Sequence, residues 1–295
     1  MMSLDPGVSI YKGFNVMLSL SDGEIENLAA VARRVRLRLL DIFSACGKGH
    51  YGGCYSVTDI LVMLYGKVLR VDPARPCWAD RDRLILSKGH TNAALCAVLG
   101  HHGFFDEAEL ATYAETDSRY GMHPDMHCVV GCDMSSGSLG HGLAVGIGMA
   151  LAGRADGKGY RVYVVLSDGE CNEGSVWEAA MVASHHKLDN MIAIVDRNRL
   201  SLDGPTEEIL TLEPLAEKWR SFGWSAIEVN GHDFRQLFEG LEQAQRTRGR
   251  PTVLVAKTVK GKGVSFMEDN PSFHSGSLTD QQLEIAKAEL MGGGR

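Results

Sequence analysis

The sequence predicts an α/β fold: a doubly wound, mainly parallel sheet with helices on both faces. Five short segments are mainly apolar rather than strictly alternating, as is typical of parallel strands covered on both sides. They lie at residues 84–86, 162–166, 192–195, 226–229 and 252–256. Helical patterns at residues 93–99, 175–186 and 234–245 follow such segments. This β-α-β alternation favours a doubly wound sheet, in which ligands bind at the carboxyl ends of the strands.

Two helices are predicted before the first strand. Ser21 and Glu24 form a capping-box pattern that begins the first helix. Its apolar residues recur at spacings of three and four, which is the pattern of a half-buried helix. These residues are Ile25, Leu28, Ala32, Val35, Leu39 and Ile42. A second helix is predicted to begin at Ser56.

A further helix is predicted at residues 139–154, and small residues line one of its faces. Gly142, Gly146 and Ala150 recur every four residues. Because small faces allow close packing, we interpret this face as an interface. No repeat or linker divides the chain. We therefore predict an N-terminal arm at 1–20, one domain at 21–276, and a C-terminal helix and tail at 277–295.

Composition narrows the function classes. The chain has 295 residues, of which 44% are hydrophobic and 23% charged, as in soluble globular proteins. With 37 acidic and 30 basic residues its net charge is −7, which does not favour binding to nucleic acid or to a membrane surface. Seven cysteines without a C-x-x-C pair are typical of a reduced, cytoplasmic protein. No signal peptide or membrane span is recognised.

The most informative motif follows the second predicted strand. Asp168 and Gly169 stand at its carboxyl end, and Asn198 follows the next strand. Adjacent parallel strands would place both polar side chains on the same edge of the sheet. There a carboxylate can hold a hard cation, while a glycine lets backbone N–H groups approach phosphate oxygens. In contrast, the G-x-G-x-x-G match at residues 47–52 follows a helix rather than a strand, which argues against a dinucleotide site.

The segment from Ser167 to Gly204, SDGECNEGSVWEAAMVASHHKLDNMIAIVDRNRLSLDG, resembles the thiamin-diphosphate motif of transketolases. Other segments match that family in its order: CGKGHYGGCYSVTDIL, DRLILSKGH, GMHPD, GSLGHGLAVGIGMALAGR, VNGHD and PTVLVAKTVKGKG. The likeness runs from about residue 20 to about residue 276. It covers only the diphosphate-binding half of an ordinary transketolase. The chain therefore resembles the N-terminal subunit of a split, two-component transketolase.

The resemblance implies roles for individual residues. Three would supply oxygen ligands to Mg²⁺, with Ca²⁺ or Mn²⁺ as substitutes, and they are Asp168, Asn198 and the main chain of Leu200. Four histidines would be catalytic, and they are His50, His90, His123 and His274. His90 and His274 would also contact the diphosphate, and Asn198 would bind cofactor as well as metal. The other cofactor-binding residues would be Gly137, Leu139, Gly169 and Glu173, the last at the subunit contact.

The sequence departs from the family pattern at three positions. Ser167 replaces the first glycine of the G-D-G motif, which is acceptable if its backbone is not left-handed. Ser138 and His141 replace a proline and a glutamine, which affects the contacts expected in the pocket. The pyrimidine-binding half, which bears the family's catalytic glutamate, is absent.

The predicted function is therefore ketol transfer. The chain would be a subunit that moves a two-carbon ketol group from a ketose to an aldose, active only with a C-terminal partner subunit, in a heterotetramer of two chains each. Alternatives are the α subunit of a 2-oxoacid dehydrogenase, a deoxyxylulose-phosphate-synthase-like enzyme, or a catalytically silent cofactor-binding scaffold. The histidine-bearing segments favour transketolase over the first two, because polyol substrates need several positioned proton donors. Whether the sugars are phosphorylated, and whether the pathway is pentose-phosphate or specialised, stays open.

Overall fold

A computed structural model describes residues 20–292 and contains one five-stranded sheet. The strands are β1 Arg83–Leu86, β2 Val162–Ser167, β3 Met191–Arg197, β4 Ser225–Asn230 and β5 Thr252–Lys257. They lie in the order β1-β2-β3-β5-β4, and every adjacent pair is parallel. All five predicted strands are confirmed, with ends extended by one or two residues.

Helices cover both faces of this sheet. They are α1 Asp22–Cys46, α2 Tyr51–Met63, α3 Asn92–His101, α4 His141–Ala155, α5 Gly174–His185, α6 Thr206–Ile209, α7 Leu215–Ser221, α8 Phe234–Arg246 and α9 Asp280–Met291. One hydrophobic cluster joins the sheet to α1, α2, α3 and α8, and α9 closes it from outside. A second joins the opposite face to α4, α5 and α7. Successive residues of β2 alternate between the two clusters, which explains why the whole strand is apolar. The doubly wound α/β prediction is confirmed.

The strand register aligns the carboxyl ends that will form the site. Ser167 at the end of β2 is paired with Asp196 of β3, and Asp196 is paired in turn with Ala256 of β5. The segments that leave β1, β2, β3 and β5 therefore emerge along one edge of the sheet.

The first helix begins where the capping pattern predicts. Ser21 Oγ accepts from the Glu24 backbone N–H, and the Glu24 carboxylate accepts from the Ser21 backbone N–H. The apolar stripe is buried from Leu28 to Ile42. Arg36 is also buried in this helix, where it pairs with Asp59 of α2.

The second helix begins earlier than predicted, at Tyr51 rather than Ser56. The prediction was wrong because it left Gly52 and Gly53 outside the helix. They lie inside the helix because other chain segments approach it closely: an added Cβ would lie 2.8 Å from Lys260 Cγ at Gly52 and 2.9 Å from Thr91 Cγ2 at Gly53. The glycines here provide space rather than flexibility.

The small face of α4 is not an interface. This finding corrects the interpretation of that face given by the sequence. Gly142, Gly146 and Ala150 are buried against the sheet within the domain. A Cβ at Gly142 would lie 2.2 Å from Ser87 Oγ, and one at Gly146 would lie 2.6 Å from Val164 Cγ2. These residues are small because α4 lies directly on β1 and β2.

The ends of the chain lie partly outside the described residues. The predicted arm at 1–20 is described only at Leu20, and the last three residues of the predicted tail are not described. The division into three regions stays a prediction. Within residues 20–292, no helix is both long enough and apolar enough to cross a membrane.

Candidate active site

Three of the four predicted catalytic histidines meet at the carboxyl edge of the sheet. His50 stands at the start of α2, His90 follows β1, and His274 lies in the segment after β5. The ring centroids are 5.5 Å apart for His50 and His90, 5.8 Å for His50 and His274, and 5.4 Å for His90 and His274. We call these three residues the histidine cluster.

Paired backbone groups bring His274 to the cluster. Gly49 and Gly276 form an antiparallel bridge, in which the Gly49 N–H donates to Gly276 O at 2.8 Å and the Gly276 N–H donates to Gly49 O at 3.0 Å. Position 49 requires a glycine, because a Cβ there would lie 2.1 Å from the ring of Phe43. The C-terminal segment is thereby fixed beside the start of α2.

The pKa values of the histidine cluster are all lowered. Burial lowers the pKa of His90 well below its ordinary value, and the Lys88 charge and His274 add to the effect. Burial, followed by the Lys260 charge, lowers the pKa of His274 to about 4. Burial also lowers the pKa of His50, with a smaller contribution from His123. Neutral imidazoles can both donate and accept hydrogen bonds, so near pH 7 the cluster can bind hydroxyl and carbonyl oxygens.

His123 lies at the mouth of this site rather than in the cluster. It is exposed, and its ring carbons are 3.5 Å from the position of a Cβ built on Gly137. The predicted cofactor residues Gly137 and Leu139 follow in the segment that leads into α4, with Gly137 exposed and Leu139 partly buried. The structure thus places His123 beside the loop predicted to contact the aminopyrimidine.

A buried carboxylate fixes the end of that loop. Glu170 Oε1 accepts from the Gly140 N–H at 2.9 Å and from the Ser87 hydroxyl, and its Oε2 accepts from the Ser167 N–H at 3.1 Å. Glu170 therefore joins the ends of β1 and β2 to the start of α4. Sequence reasoning missed it, because nothing in the sequence shows which acidic residue of the segment is buried.

The three predicted metal ligands lie on the same edge. Asp168 is buried and accepts from Arg197 Nη1 at 3.0 Å and from the Arg199 N–H at 2.5 Å. Asn198 Oδ1 accepts from the Leu200 N–H at 3.1 Å. The Leu200 carbonyl accepts from the Lys260 ammonium at 3.0 Å.

The donor chemistry of this group suits a hard divalent cation. All three predicted ligands are oxygen atoms: a carboxylate, an amide and a carbonyl. Burial raises the pKa of Asp168, and the neighbouring Asp196 carboxylate raises it further, so added positive charge would favour the ionised form. The Leu200 carbonyl already accepts a hydrogen bond from one cation, the Lys260 ammonium. The residues present therefore fit Mg²⁺, Ca²⁺ or Mn²⁺.

Two buried lysines accompany this group, and sequence reasoning assigned a role to neither. Lys88 pairs with Asp196, and both side chains are almost fully buried. Lys260 donates to the Leu200 and Ser201 carbonyls and lies 3.0 Å from His274 Nδ1. Burial, together with the Lys88 charge, lowers the pKa of Lys260 to about 8. Both lysines lie within the segments SKGH and KGKG, but only the folded chain shows that they are buried.

The remaining predicted residues lie at the edge of this site. The Gly169 N–H, predicted to face the diphosphate, donates to Asp168 Oδ1 at 2.8 Å. Glu173 is exposed next to Gly140. Ser167 ends β2 and does not have a positive φ, so the serine is compatible with the backbone there. Ser138 and His141 are exposed.

Comparisons with known proteins identify the family of this chain. Residues 27–292 match the family model described as the thiamine diphosphate binding domain of transketolase. The chain is 41% identical over 271 residues to the 6-deoxy-6-sulfo-D-fructose transketolase subunit SqwG of Clostridium sp. strain MSTE9, covering 92% of this chain and 98% of that protein. It is 40% identical to an apulose-4-phosphate transketolase subunit of Phocaeicola vulgatus, covering 90% and 95% of the two chains.

A solved structure shows the same fold within a longer chain. The transketolase of Leishmania mexicana superposes with a TM-score of 0.84 at 29% identity. The match covers 90% of this chain and 41% of that one, so the present chain spans about two-fifths of a full-length transketolase. With the family match extending over residues 27–292, the chain belongs to the transketolase family, in which it corresponds to the thiamine diphosphate-binding domain.

Proposed function

We propose that this chain is the diphosphate-binding subunit of a two-component transketolase that transfers a two-carbon ketol group from a ketose to an aldose. One observation carries the proposal: the histidine cluster lies on the same sheet edge as the oxygen ligands of Asp168, Asn198 and Leu200. The groups that we propose for cofactor binding and for substrate binding are thereby adjacent. The scaffold alternative does not account for this juxtaposition.

The length of the relatives supports a second chain. Proteins named as transketolase subunits are matched over 95% or more of their length, whereas the Leishmania transketolase is matched over 41%. We infer that a C-terminal subunit supplies the pyrimidine-binding domain and its glutamate. The proposed assembly is a heterotetramer of two chains each. Free cysteines are compatible with our placing it in the cytoplasm.

Thiamin diphosphate and Mg²⁺ complete the proposed site. Asp168, Asn198 and the Leu200 carbonyl would hold the metal, with Gly169 and His90 facing the diphosphate. When bound, the cofactor supplies the carbanion chemistry that cleaves and forms the carbon–carbon bond. Gly137 and Leu139 would approach its aminopyrimidine.

The chain's own residues bind the sugar and move protons. His50 and His123 would contact substrate oxygens, His123 from the exposed mouth of the site. His90 and His274 would lie at the reacting end, where neutral imidazoles exchange protons with hydroxyl groups. Burial keeps the His274 imidazole neutral by lowering its pKa, and the positive charge of Lys260 next to it adds to this effect.

The substrate class is a ketose that carries an anionic group. The two named relatives act on a sulfonated ketose and on apulose 4-phosphate. We propose that this chain serves either a phosphorylated or a sulfonated sugar, in a specialised route or in pentose-phosphate metabolism. Rates measured with phosphorylated ketoses, sulfonated ketoses and 2-oxoacids as donors would show which class of substrate the complex uses.

Reconstitution tests the proposal. The chain should show no ketol transfer alone, and transfer should appear with Mg²⁺, thiamin diphosphate and the C-terminal subunit, saturating at equal amounts of the two chains. Asp168→Asn should greatly reduce the transfer, whereas Asp203→Asn, on an exposed loop, should not. Transfer by the single chain would refute the split architecture. A reconstituted complex that binds cofactor but processes no ketose would favour the scaffold alternative.

A further inference from the structure

A buried hydrogen-bond network lies behind the site and includes none of the residues assigned to it. Arg36 of α1 donates to both oxygens of Asp59, at 2.9 and 2.8 Å, and also to the Tyr55 carbonyl. The second Asp59 oxygen lies 2.6 Å from His232 Nδ1. His232 belongs to the VNGHD segment, which begins at the end of β4 and has no role in the site described above.

The hydrogen bonds define the protonation of His232. The Val259 N–H donates to His232 Nε2 at 2.8 Å, so this nitrogen is an acceptor and carries no proton. The ring proton is therefore on Nδ1 and is donated to Asp59. Burial opposes ionisation of Asp59, but Arg36 and the bond from His232 lower its pKa to about 2, so the acceptor stays charged. A charged acceptor strengthens the hydrogen bond that orients the ring.

His232 thereby holds the turn that carries Lys260. Val259 precedes Lys260, whose ammonium reaches the Leu200 and Ser201 carbonyls and His274. On the other side of Lys260, the Gly261 N–H donates to the Gly52 carbonyl at 3.0 Å. The backbone of Lys260 is thus fixed from both sides, once by α2 and once by His232.

We propose that His232, oriented by Asp59 and Arg36, is a positioning residue that places the Lys260 ammonium at the metal and diphosphate site. The inference rests on the proposed function, because it assigns His232 a role in the binding of thiamin diphosphate. The hydrogen bonds of His232 go to Asn230, Asp59 and Val259, and none joins it to the histidine cluster or to the predicted metal ligands. Its effect passes through the backbone of residues 259 and 260.

Substitutions of His232 test whether its acceptor nitrogen, Nε2, is needed. His232→Ala removes the acceptor for the Val259 N–H, whereas the amide oxygen of His232→Gln can replace Nε2 in that bond. His102→Ala is the matched control: this histidine is also partly buried, but it caps the end of α3 far from the site. Outer groups that orient a binding residue typically contribute about 10-fold to 100-fold in affinity.

The experiment measures thiamin diphosphate affinity by calorimetry, with Mg²⁺ and the C-terminal subunit present, and the thermal midpoint of each complex. His232→Ala should weaken binding about 10-fold or more, and His232→Gln should recover most of the loss. His102→Ala should leave the affinity unchanged even if it lowers the thermal midpoint. In the complex without cofactor, hydrogen exchange at the Val259 amide should be faster in His232→Ala than in the wild type.

A double mutant separates positioning from a merely structural role. If His232 acts through Lys260, His232→Ala combined with Lys260→Met should bind no more weakly than Lys260→Met alone. Losses that multiply in the double mutant, or a His232→Gln affinity as low as that of His232→Ala, would overturn the inference. Wild-type affinity in His232→Ala would overturn it as well. A wild-type complex that binds no thiamin diphosphate would reject the proposed function and this inference with it.

Discussion

The packing of α4 on the sheet yields a prediction with an internal control. Gly142 and Gly148 lie on opposite faces of this helix, the first buried and the second exposed. An alanine Cβ at position 142 would lie 2.2 Å from Ser87 Oγ and 2.9 Å from Ser87 Cα. At position 148 no atom lies within 4 Å. The same chemical change therefore meets a strand on one face and open space on the other.

The expected effects have opposite signs. At position 142 a backbone atom lies in the way, so the helix or the end of β1 must move, and such overpacking costs about 1–3 kcal/mol. The gain in helix propensity is about 1 kcal/mol for an interior position and less in the first turn. We expect Gly142→Ala to reduce the free energy of unfolding by about 1–2 kcal/mol. Gly148→Ala should raise it by roughly 0.5–1 kcal/mol.

Urea unfolding of the single chain, followed by far-ultraviolet circular dichroism, measures both values. The two variants should differ by about 1.5–3 kcal/mol, which corresponds to roughly 3–12 °C in thermal midpoint for a domain of about this size. A stabilised Gly142→Ala together with a destabilised Gly148→Ala would mean that the buried and exposed faces of α4 have been interchanged. It would then restore the interface interpretation of the small face.

Four further predictions follow from the site. Asn198→Ala should weaken Mg²⁺-dependent binding of thiamin diphosphate by the complex, and calorimetry giving the wild-type affinity would contradict the assigned ligand. His90→Ala should weaken cofactor binding and slow turnover, whereas His123→Ala should alter KM or kcat for ketoses at nearly unchanged cofactor affinity, as initial rates will show. Arg199 has φ 66°, so Arg199→Gly should remove backbone strain and stabilise the chain by up to about 1 kcal/mol in urea titrations. Finally, burial lowers the pKa values of the histidine cluster, so below about pH 6.5 the unfolded chain takes up protons that the folded chain does not. The free energy of unfolding should therefore fall between pH 6.5 and 5.5, and a flat profile there would refute the assignment.

The sequence predicted the features that depend on local pattern. Apolar runs identified all five strands, and the strand-end positions of Asp168 and Asn198 were enough to place both residues on one edge of the sheet. The meeting of His50, His90 and His274 followed from family resemblance alone. Spacing could not supply it, because these residues lie far apart in the chain and converge only through loops.

What the sequence did not predict depends on neighbours from other elements. The small face of α4 is typical of close packing, but the pattern does not show whether a strand or a second protein chain occupies it. The predicted start of α2 was too late because the crowding of Gly52 and Gly53 by Lys260 and Thr91 is a tertiary property. Lys88 and Lys260 received no role for the same reason, because their burial is visible only in the folded chain.

The bridge between Gly49 and Gly276 has a consequence for how the protein matures during synthesis. Residue 49 leaves the ribosome early, and residue 276 follows only after the last strand has been made. Closing so long a segment carries an entropic cost that the sheet must first offset by folding. His274 joins His50 and His90 only when this bridge forms. A growing chain can therefore bury most of its sheet before the histidine cluster is complete, and cofactor binding that needs His274 must wait until residue 276 has been made.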